Sequence, residues 1–211
     1  LVGLSIAGPK SQQLLQKLTD VDVSSKAFRF MDFREMAVGG APCMVNRITY
    51  TGDLGYEIWV RPEYQRALHT LLVEAGATQF GLRALLSLRL EKSFGTWFRE
   101  YRPIYGPYEA GLGRFVDGKR GGFIGAEAAA AEKADGGKLR LSTFAVEATD
   151  ADAIGDEPIW RDGRVIGWVT SGGYGHTVGQ SLAMGYIEKG HAEATEGFEI
   201  EIIGERRPAR R

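Results

Sequence analysis

The feature that most constrains the fold is a series of short strand-like segments in the last third of the chain. From Lys138 onward, about six such segments are separated by glycine or Asp-Gly turns. The Asp162-Gly163 pair suits the positive φ angles of a type I′ turn, so it predicts a tight hairpin. Short strands at this density predict a small antiparallel β-barrel or sandwich, which we assign to residues 138–211.

Residues 1–137 differ, because strand patterns there alternate with helical ones. Leucine spacing predicts helices over Ser11–Leu18, Pro62–Ala75 and Leu82–Glu91, and strand-like runs cover 2–7, 42–50 and 56–60. An aromatic-rich segment, 93–116, is expected to be an ordered connection, followed by a short helix near Gly125–Ala134. The chain is therefore predicted to be α+β, with an α/β region at 1–137 and a barrel after it.

Composition and charge exclude several functional classes. The chain has 211 residues and a formal net charge of −1, so no overall basic field attracts nucleic acid. No apolar run approaches the ~18 residues that span a bilayer. The single cysteine, Cys43, excludes an internal disulfide framework and fits a reducing compartment. We therefore expect a cytoplasmic protein, or a mitochondrial matrix protein in a eukaryote.

A glycine-rich run and the three histidines give only weak indications of a ligand site. The glycine-rich run Thr170–Gly179 lacks the lysine of a P-loop and lies among strands, so it predicts a hairpin or bulge in the barrel. No two of the three histidines have the i, i+4 spacing of a helical metal site. Neither feature predicts a phosphate or metal site.

A carboxylate within an apolar strand is the strongest local candidate. In RITYTGDLGYEIWV, residues 47–60, alternation places Tyr56, Ile58 and Val60 on one face and Glu57 and Trp59 on the other. The second face is either solvated, with Glu57 an ordinary surface charge, or it lines a pocket. In a pocket, a carboxylate can accept two parallel hydrogen bonds from a flat, NH-rich ligand.

Two further positions leave the same choice open. Arg89, in the segment RLEK, is either part of a salt-linked helix surface or part of a site. Trp97 and the tyrosines of the aromatic-rich segment either pack in a core or stack on a planar ligand.

Six motifs occur in order along the chain: LVGLSIAGPKSQQLLQKLT, RITYTGDLGYEIWV, FGLRALLSLRLEKS, PYEAGLGRFV, FIGAEA and GWVTSGGYGHTVGQSLAMGYI. Taken together, they resemble the folate-binding aminomethyltransferase family. That family includes the T-protein of the glycine cleavage system and the C-terminal half of dimethylglycine and sarcosine dehydrogenases. The segments RLEKSFGTW and YGPYEAGL resemble the corresponding segments of the dehydrogenase branch. Leu85 stands where T-proteins typically have a folate-binding arginine.

The resemblance implies a specific fold, ligand and residue set. The family fold is a three-domain clover-leaf around a tetrahydrofolate channel, with a ferredoxin-like α/β portion followed by a small barrel. By position in the motifs, Glu57 matches the glutamate that binds the pterin and Tyr50 the tyrosine of the same motif. Arg89 and Trp97 also match family positions, Arg89 with a pairing role and Trp97 near the channel. The family's catalytic aspartate is expected before Leu1, so no catalytic residue is assigned here.

The function implied by the resemblance is one-carbon transfer to tetrahydrofolate, giving 5,10-methylenetetrahydrofolate, within a flavin-dependent dimethylglycine/sarcosine-type dehydrogenase. The expected partners are folate, a methylated amine and an upstream FAD domain of the same chain, with no nucleic acid and no membrane. We expect residues 1–211 alone to be inactive. The alternatives are a glycine cleavage T-protein and a non-catalytic folate-binding relative.

Overall fold

The computed structural model describes all 211 residues, which form two compact units. The N-terminal unit comprises residues 1–85 and the C-terminal unit residues 86–211. None of the helices combines the length and the apolar character needed to cross a bilayer.

The N-terminal unit is a four-stranded antiparallel sheet with two helices packed on one face. Its strands are β1 (Val2–Ala7), β2 (Phe33–Val38), β3 (Ala41–Asn46) and β4 (Gly55–Val60), in the spatial order β1-β4-β3-β2; its helices are α1 (Ser11–Gln16) and α2 (Pro62–Glu74). Leu15 of α1 and Leu68 and Leu72 of α2 share one buried core with Tyr56 and Ile58 of β4. The predicted helices are therefore confirmed, and the leucine spacing on which they were predicted reflects this core.

The strand predicted to run to Tyr50 ends four residues earlier, at Asn46. The Arg47 N–H donates to the Asp32 carbonyl at 2.9 Å, and the Met31 N–H donates to the Arg47 carbonyl at 3.1 Å. The Thr49 hydroxyl donates to the Asp53 carbonyl at 2.7 Å. Because these groups bond within loops rather than with β4, residues 47–54 form a loop instead of the upper part of a hairpin.

The C-terminal unit contains a closed six-stranded antiparallel barrel. Its strands are β5 (Leu139–Val146), β6 (Pro158–Arg161), β7 (Arg164–Gly175), β8 (Gln180–Glu188), β9 (Phe198–Ile202) and β10 (Glu205–Arg210), in the order β10-β5-β8-β7-β6-β9. Phe144, Val169, Ile187 and Ile200 lie in its buried core. Asp162 and Gly163, at φ +51° and +74°, join β6 to β7. The predicted barrel and its tight hairpin are confirmed.

Helices and turns connect these two regions along the chain. They are α3 (Leu82–Glu91), a 3-10 turn (Gly113–Phe115) and α4 (Ala126–Asp135), with a further 3-10 turn (Lys189–His191) inside the barrel region. Leu90, near the end of α3, packs with Leu182 and Met184 of β8. The end of α3 thus belongs to the C-terminal unit, whereas the domain boundary at residue 137 stays a prediction from sequence.

Candidate functional site

The candidate site is built on the face of the N-terminal sheet opposite α1 and α2. Glu57 lies on β4 beside Ser5 of β1 and Asn46 of β3. It is half-buried, and its carboxylate has no hydrogen-bond or ion-pair partner in the protein. Tyr56 and Ile58, its neighbours along β4, are fully buried on the helix-covered face. The predicted alternation is confirmed, and it leaves both carboxylate oxygens available to a ligand.

An aromatic ring shares this face with Glu57. Trp59 lies two residues further along β4, is 37% exposed, and is paired in register with Gly3 of β1. A Cβ added at Gly3 would lie 3.1 Å from the Trp59 ring, so glycine lets the indole lie against the neighbouring strand. A flat apolar surface next to an unpaired carboxylate is suited to a planar ligand that carries N–H donors.

The TGDLG loop before β4 depends on two glycines. Gly52 has φ +76°, a conformation that favours glycine. A Cβ at Gly55 would lie 2.2 Å from the Ile6 carbonyl oxygen and 2.3 Å from the Thr49 methyl carbon, so no larger residue fits there. Tyr50 lies half-buried at the start of this loop, and Glu57 follows its end. The motif thus fixes the path of the chain between these two predicted site residues.

Arg89 lies in the last turn of α3 and is buried. Its Nη1 donates to the Phe94 carbonyl at 3.0 Å and lies 3.7 Å from Glu100 Oε2. All of these contacts are within the C-terminal unit. They agree with the pairing role that the family position implies, while direct contact with a cofactor stays a prediction.

Glu100 is the partner that sequence reasoning did not identify. It is fully buried, and its Oε1 accepts hydrogen bonds from the hydroxyls of Thr170 and Ser171, at 2.6 and 2.5 Å. Its Oε2 accepts from the Thr96 N–H at 2.7 Å and the Thr96 hydroxyl at 3.1 Å. Burial acts to raise the pKa of this carboxyl. The hydrogen bonds from Ser171, Thr170 and Thr96, with the Arg89 charge, outweigh burial and hold the pKa below its ordinary value.

The TSGG motif supplies two of these donors through a bulge in β7. The pairing of β7 with β8 shifts register between Val169 and Ser171, as expected for a β-bulge. A Cβ at Gly172 would lie 2.2 Å from the Ala153 carbonyl oxygen, so the backbone approaches closely there. The predicted bulge is confirmed. The glycines of this run, which lies among strands, were the sequence signal for it.

Trp97 lies at the tip of a turn in the aromatic-rich segment. The backbone N–H groups of Glu100 and Tyr101 both donate to the Thr96 carbonyl, which closes the turn. Trp97 is 67% exposed and Phe98 is 83% exposed. By contrast, Tyr105 stacks on the buried Tyr186 ring with centroids 3.8 Å apart. The segment therefore contains both kinds of aromatic residue, and Trp97 is among those open to a ligand.

Glu109, a motif residue without an assigned role, ties the aromatic-rich segment to the barrel. Its Oε1 accepts from the backbone N–H groups of Lys138 at 2.7 Å and Leu139 at 3.0 Å. Burial acts to raise the pKa of this carboxyl, but the backbone donors and Arg140 outweigh it and lower the pKa. Glu109 is thus a structural acid that fixes the start of β5.

Comparisons with known proteins agree with this architecture. The GCVT N-terminal domain model matches residues 1–120, and the glycine cleavage T-protein C-terminal barrel domain model matches residues 140–211. Human mitochondrial dimethylglycine dehydrogenase is 38% identical over 98% of this chain and 24% of its own length. An aminomethyltransferase from Desulfitobacterium hafniense is 32% identical over 98% of this chain and 57% of its own length.

A solved structure supports the same conclusion. The glycine cleavage system aminomethyltransferase T from Bartonella henselae matches with a TM-score of 0.85 and 26% identity, over 99% of this chain and 57% of that one. This chain thus spans about a quarter of the dehydrogenase and a little over half of the aminomethyltransferases. Since one family model covers more than half of the chain and a second covers the barrel, the chain belongs to the glycine cleavage T-protein family of aminomethyltransferase-like proteins.

Proposed function

We propose that this chain is the tetrahydrofolate-binding, one-carbon transfer region of a flavin-dependent dehydrogenase of dimethylglycine or sarcosine, and that it forms 5,10-methylenetetrahydrofolate. The observation that carries the proposal is the unpaired, half-buried carboxylate of Glu57 beside the Trp59 ring. The proposal is supported by the identity to dimethylglycine dehydrogenases, and by 35% identity to mouse mitochondrial sarcosine dehydrogenase over 87% of this chain.

The chemistry of Glu57 fits the pterin ring. The pyrimidine edge of a reduced pterin carries adjacent N–H donors, and a carboxylate can accept both through two parallel, charge-assisted hydrogen bonds. The carboxylate does not exchange protons with the reacting centre in this role; it fixes the orientation of the ring. Orientation of this kind can lower a barrier by several kcal/mol when the reacting atoms are brought to contact distance.

The groups that react are supplied from outside these residues. Tetrahydrofolate supplies the nitrogen that accepts the one-carbon unit, and FAD in the full-length protein supplies the oxidation of the amine. Glu57 binds the pterin, Tyr50 flanks it from the start of the TGDLG loop, and Trp97 contributes an exposed aromatic surface. No residue among these is assigned a proton transfer.

A glycine cleavage T-protein is the second candidate, and the aminomethyltransferase relatives favour it. Residue 85 favours the dehydrogenase. Leu85 lines a groove of about 380 Å³ in the N-terminal unit together with Leu4, Leu72 and Phe80. A leucine in this apolar setting cannot provide the folate contact expected of an arginine in a T-protein. A lipoyl-dependent transfer assay distinguishes the two functions, because only a T-protein would release the one-carbon unit from a lipoyl carrier.

The test is a calorimetric titration of tetrahydrofolate into the full-length protein and its Glu57→Gln variant. A hydrogen bond to a charged group contributes about 1.5–3 kcal/mol, so its loss in Glu57→Gln should weaken tetrahydrofolate binding roughly 10-fold or more. Glu74→Gln is the matched control, since Glu74 is an exposed carboxylate on α2, and it should bind like the wild type. Equal affinity of wild type and Glu57→Gln would contradict the proposal.

A further inference from the structure

The turn that carries Trp97 is held by one buried carboxylate, whose two oxygens have separate tasks. Glu100 Oε2 accepts both Thr96 donors and so closes the turn from Thr96 to Tyr101 upon itself. Glu100 Oε1 accepts the hydroxyls of Thr170 and Ser171, and so attaches the closed turn to the bulge of β7. The first set of bonds shapes the turn, and the second fixes its place on the barrel.

Two further contacts support the same turn. The Tyr186 hydroxyl, on β8, donates to the Glu100 backbone carbonyl at 2.7 Å. Burial raises the pKa of that phenol, with Tyr105 and Glu100 adding to the effect, so the group stays protonated as a donor. Arg89 lies 3.7 Å from Oε2 and balances the buried charge. A carboxylate with four donors and a nearby guanidinium is fixed in one geometry.

The turn fixed by Glu100 exposes aromatic side chains at its tip. Its tip presents Trp97 and Phe98 to solvent, although residues 93–112 contain no helix or strand. Exposed aromatic rings on an unanchored loop would fold back onto apolar surface, since this removes them from water. The hydrogen bonds of Glu100 to Thr170 and Ser171 attach the turn to the barrel and so restrict such movement.

We infer that Glu100 is a positioning residue: through its bonds to Thr170 and Ser171, it holds Trp97 in a preformed, outward pose for the ligand. The inference rests on the proposed function insofar as that ligand is tetrahydrofolate. The TSGG motif would then support ligand binding indirectly, because its Thr170 and Ser171 hold Glu100 and do not contact the ligand. A preformed aromatic surface binds more tightly because less conformational freedom is lost on binding.

The test uses the double variant Thr170→Val/Ser171→Ala in the full-length protein. It removes both donors to Oε1 and keeps the bonds that close the turn. Thr170→Ser keeps the hydroxyl and is the conservative rescue variant. Ser142→Ala is the matched control, because the Ser142 hydroxyl is also buried in the barrel but has no hydrogen-bond partner.

The readout is ¹⁹F NMR of protein labelled with 5-fluorotryptophan, with the Trp97 signal assigned by Trp97→Phe. The chain contains four tryptophans, so Trp160 on β6 and Trp59 in the N-terminal unit report on the integrity of the fold. In the double variant the Trp97 signal should shift or broaden while the Trp160 and Trp59 signals stay in place. Tetrahydrofolate affinity should fall about threefold to tenfold, as expected when one additional side chain must be ordered on binding. Thr170→Ser and Ser142→Ala should resemble the wild type in both readouts.

An unchanged Trp97 signal in the double variant would overturn the inference. So would a joint shift of the Trp97, Trp160 and Trp59 signals, because it would show that the hydroxyls only maintain the fold. The double variant could show a selective Trp97 shift while the wild-type protein fails to bind tetrahydrofolate at all. This result would support the positioning of the turn by Glu100 but would overturn the proposed function. The two failures are therefore distinguishable.

Discussion

The carboxylates of this chain differ in what their oxygens contact. Glu100 and Glu109 are committed within the protein, since they accept hydrogen bonds from hydroxyls or backbone N–H groups. Glu57 is half-buried and accepts none. A buried acid with all its bonds made stabilises the fold, whereas a partly buried acid without partners has unused binding capacity. This contrast is the physical basis for assigning Glu57, rather than Glu100 or Glu109, to ligand binding.

The pH dependence of stability should reveal the Glu100 network. Because the folded-state pKa of Glu100 is depressed, its contribution to stability is complete above the unfolded-state pKa, about 4.3, and is lost as pH falls through the folded-state value. Glu100→Gln should therefore be less stable than the wild type near pH 7, and the gap should shrink below about pH 4. Urea unfolding of both proteins from pH 7 to pH 3 measures the gap. A gap that stays constant over this range would refute the assignment.

A second residue-scale prediction concerns the loop before β4. Gly55→Ala should destabilise the protein by about 1–3 kcal/mol, because the new methyl group would overlap the Ile6 carbonyl oxygen. Gly81→Ala is the control, since a Cβ at Gly81 has open space and its φ is not positive. Chemical denaturation of both variants measures the difference. Similar midpoints for the two variants would show that the loop accommodates the extra carbon.

Helices and the barrel hairpin were predictable because their signals are local. Leucine spacing gave α3 its residue bounds, and Asp162-Gly163 marked the β6–β7 turn. The end of β3 was not predictable, because it depends on bonds between residue 47 and residues 31 and 32. In the candidate site, alternation along β4 correctly separated Glu57 from the buried face. Glu100 was missed because its partners Thr170 and Ser171 lie 70 and 71 residues away in sequence.

At the scale of elements, α2 offers a stabilising substitution. Its N-cap residue, Arg61, has extended geometry but makes no side-chain capping bond, and Pro62 follows it. Arg61→Ser should add the missing cap and stabilise the protein by about 0.5–1 kcal/mol. The exposed contacts of Arg61 that are lost, an ion pair with Glu63 and a hydrogen bond and cation–π contact with Tyr64, contribute little.

Arg66→Ser is the comparison variant for this prediction. Arg66 lies inside the same helix and is exposed, so serine there should be neutral or slightly destabilising. Thermal unfolding of the two variants measures the effect. A melting temperature for Arg61→Ser at or below that of Arg66→Ser would show that the first turn of α2 gains nothing from a cap.

At the scale of the whole molecule, the two units contribute different things to the proposed function. The N-terminal unit offers a sheet face with an unpaired carboxylate next to an aromatic ring. The C-terminal unit uses its buried acids internally and presents an exposed aromatic turn. The match to an aminomethyltransferase at TM-score 0.85 supports the same architecture along the entire chain. Because the chain spans 24% of human dimethylglycine dehydrogenase, the oxidation step is proposed only for the full-length protein.

The central claim is that the Glu57 carboxylate accepts hydrogen bonds from the pterin. The most direct measurement is ¹⁵N NMR of tetrahydrofolate labelled in its pyrimidine ring and amino group, bound to the full-length protein. The account predicts that the ring N–H and amino signals move downfield on binding to the wild type, as expected for charge-assisted hydrogen bonds, and that this shift is lost in Glu57→Gln. Bound ligand with identical ¹⁵N shifts in both proteins would contradict the account.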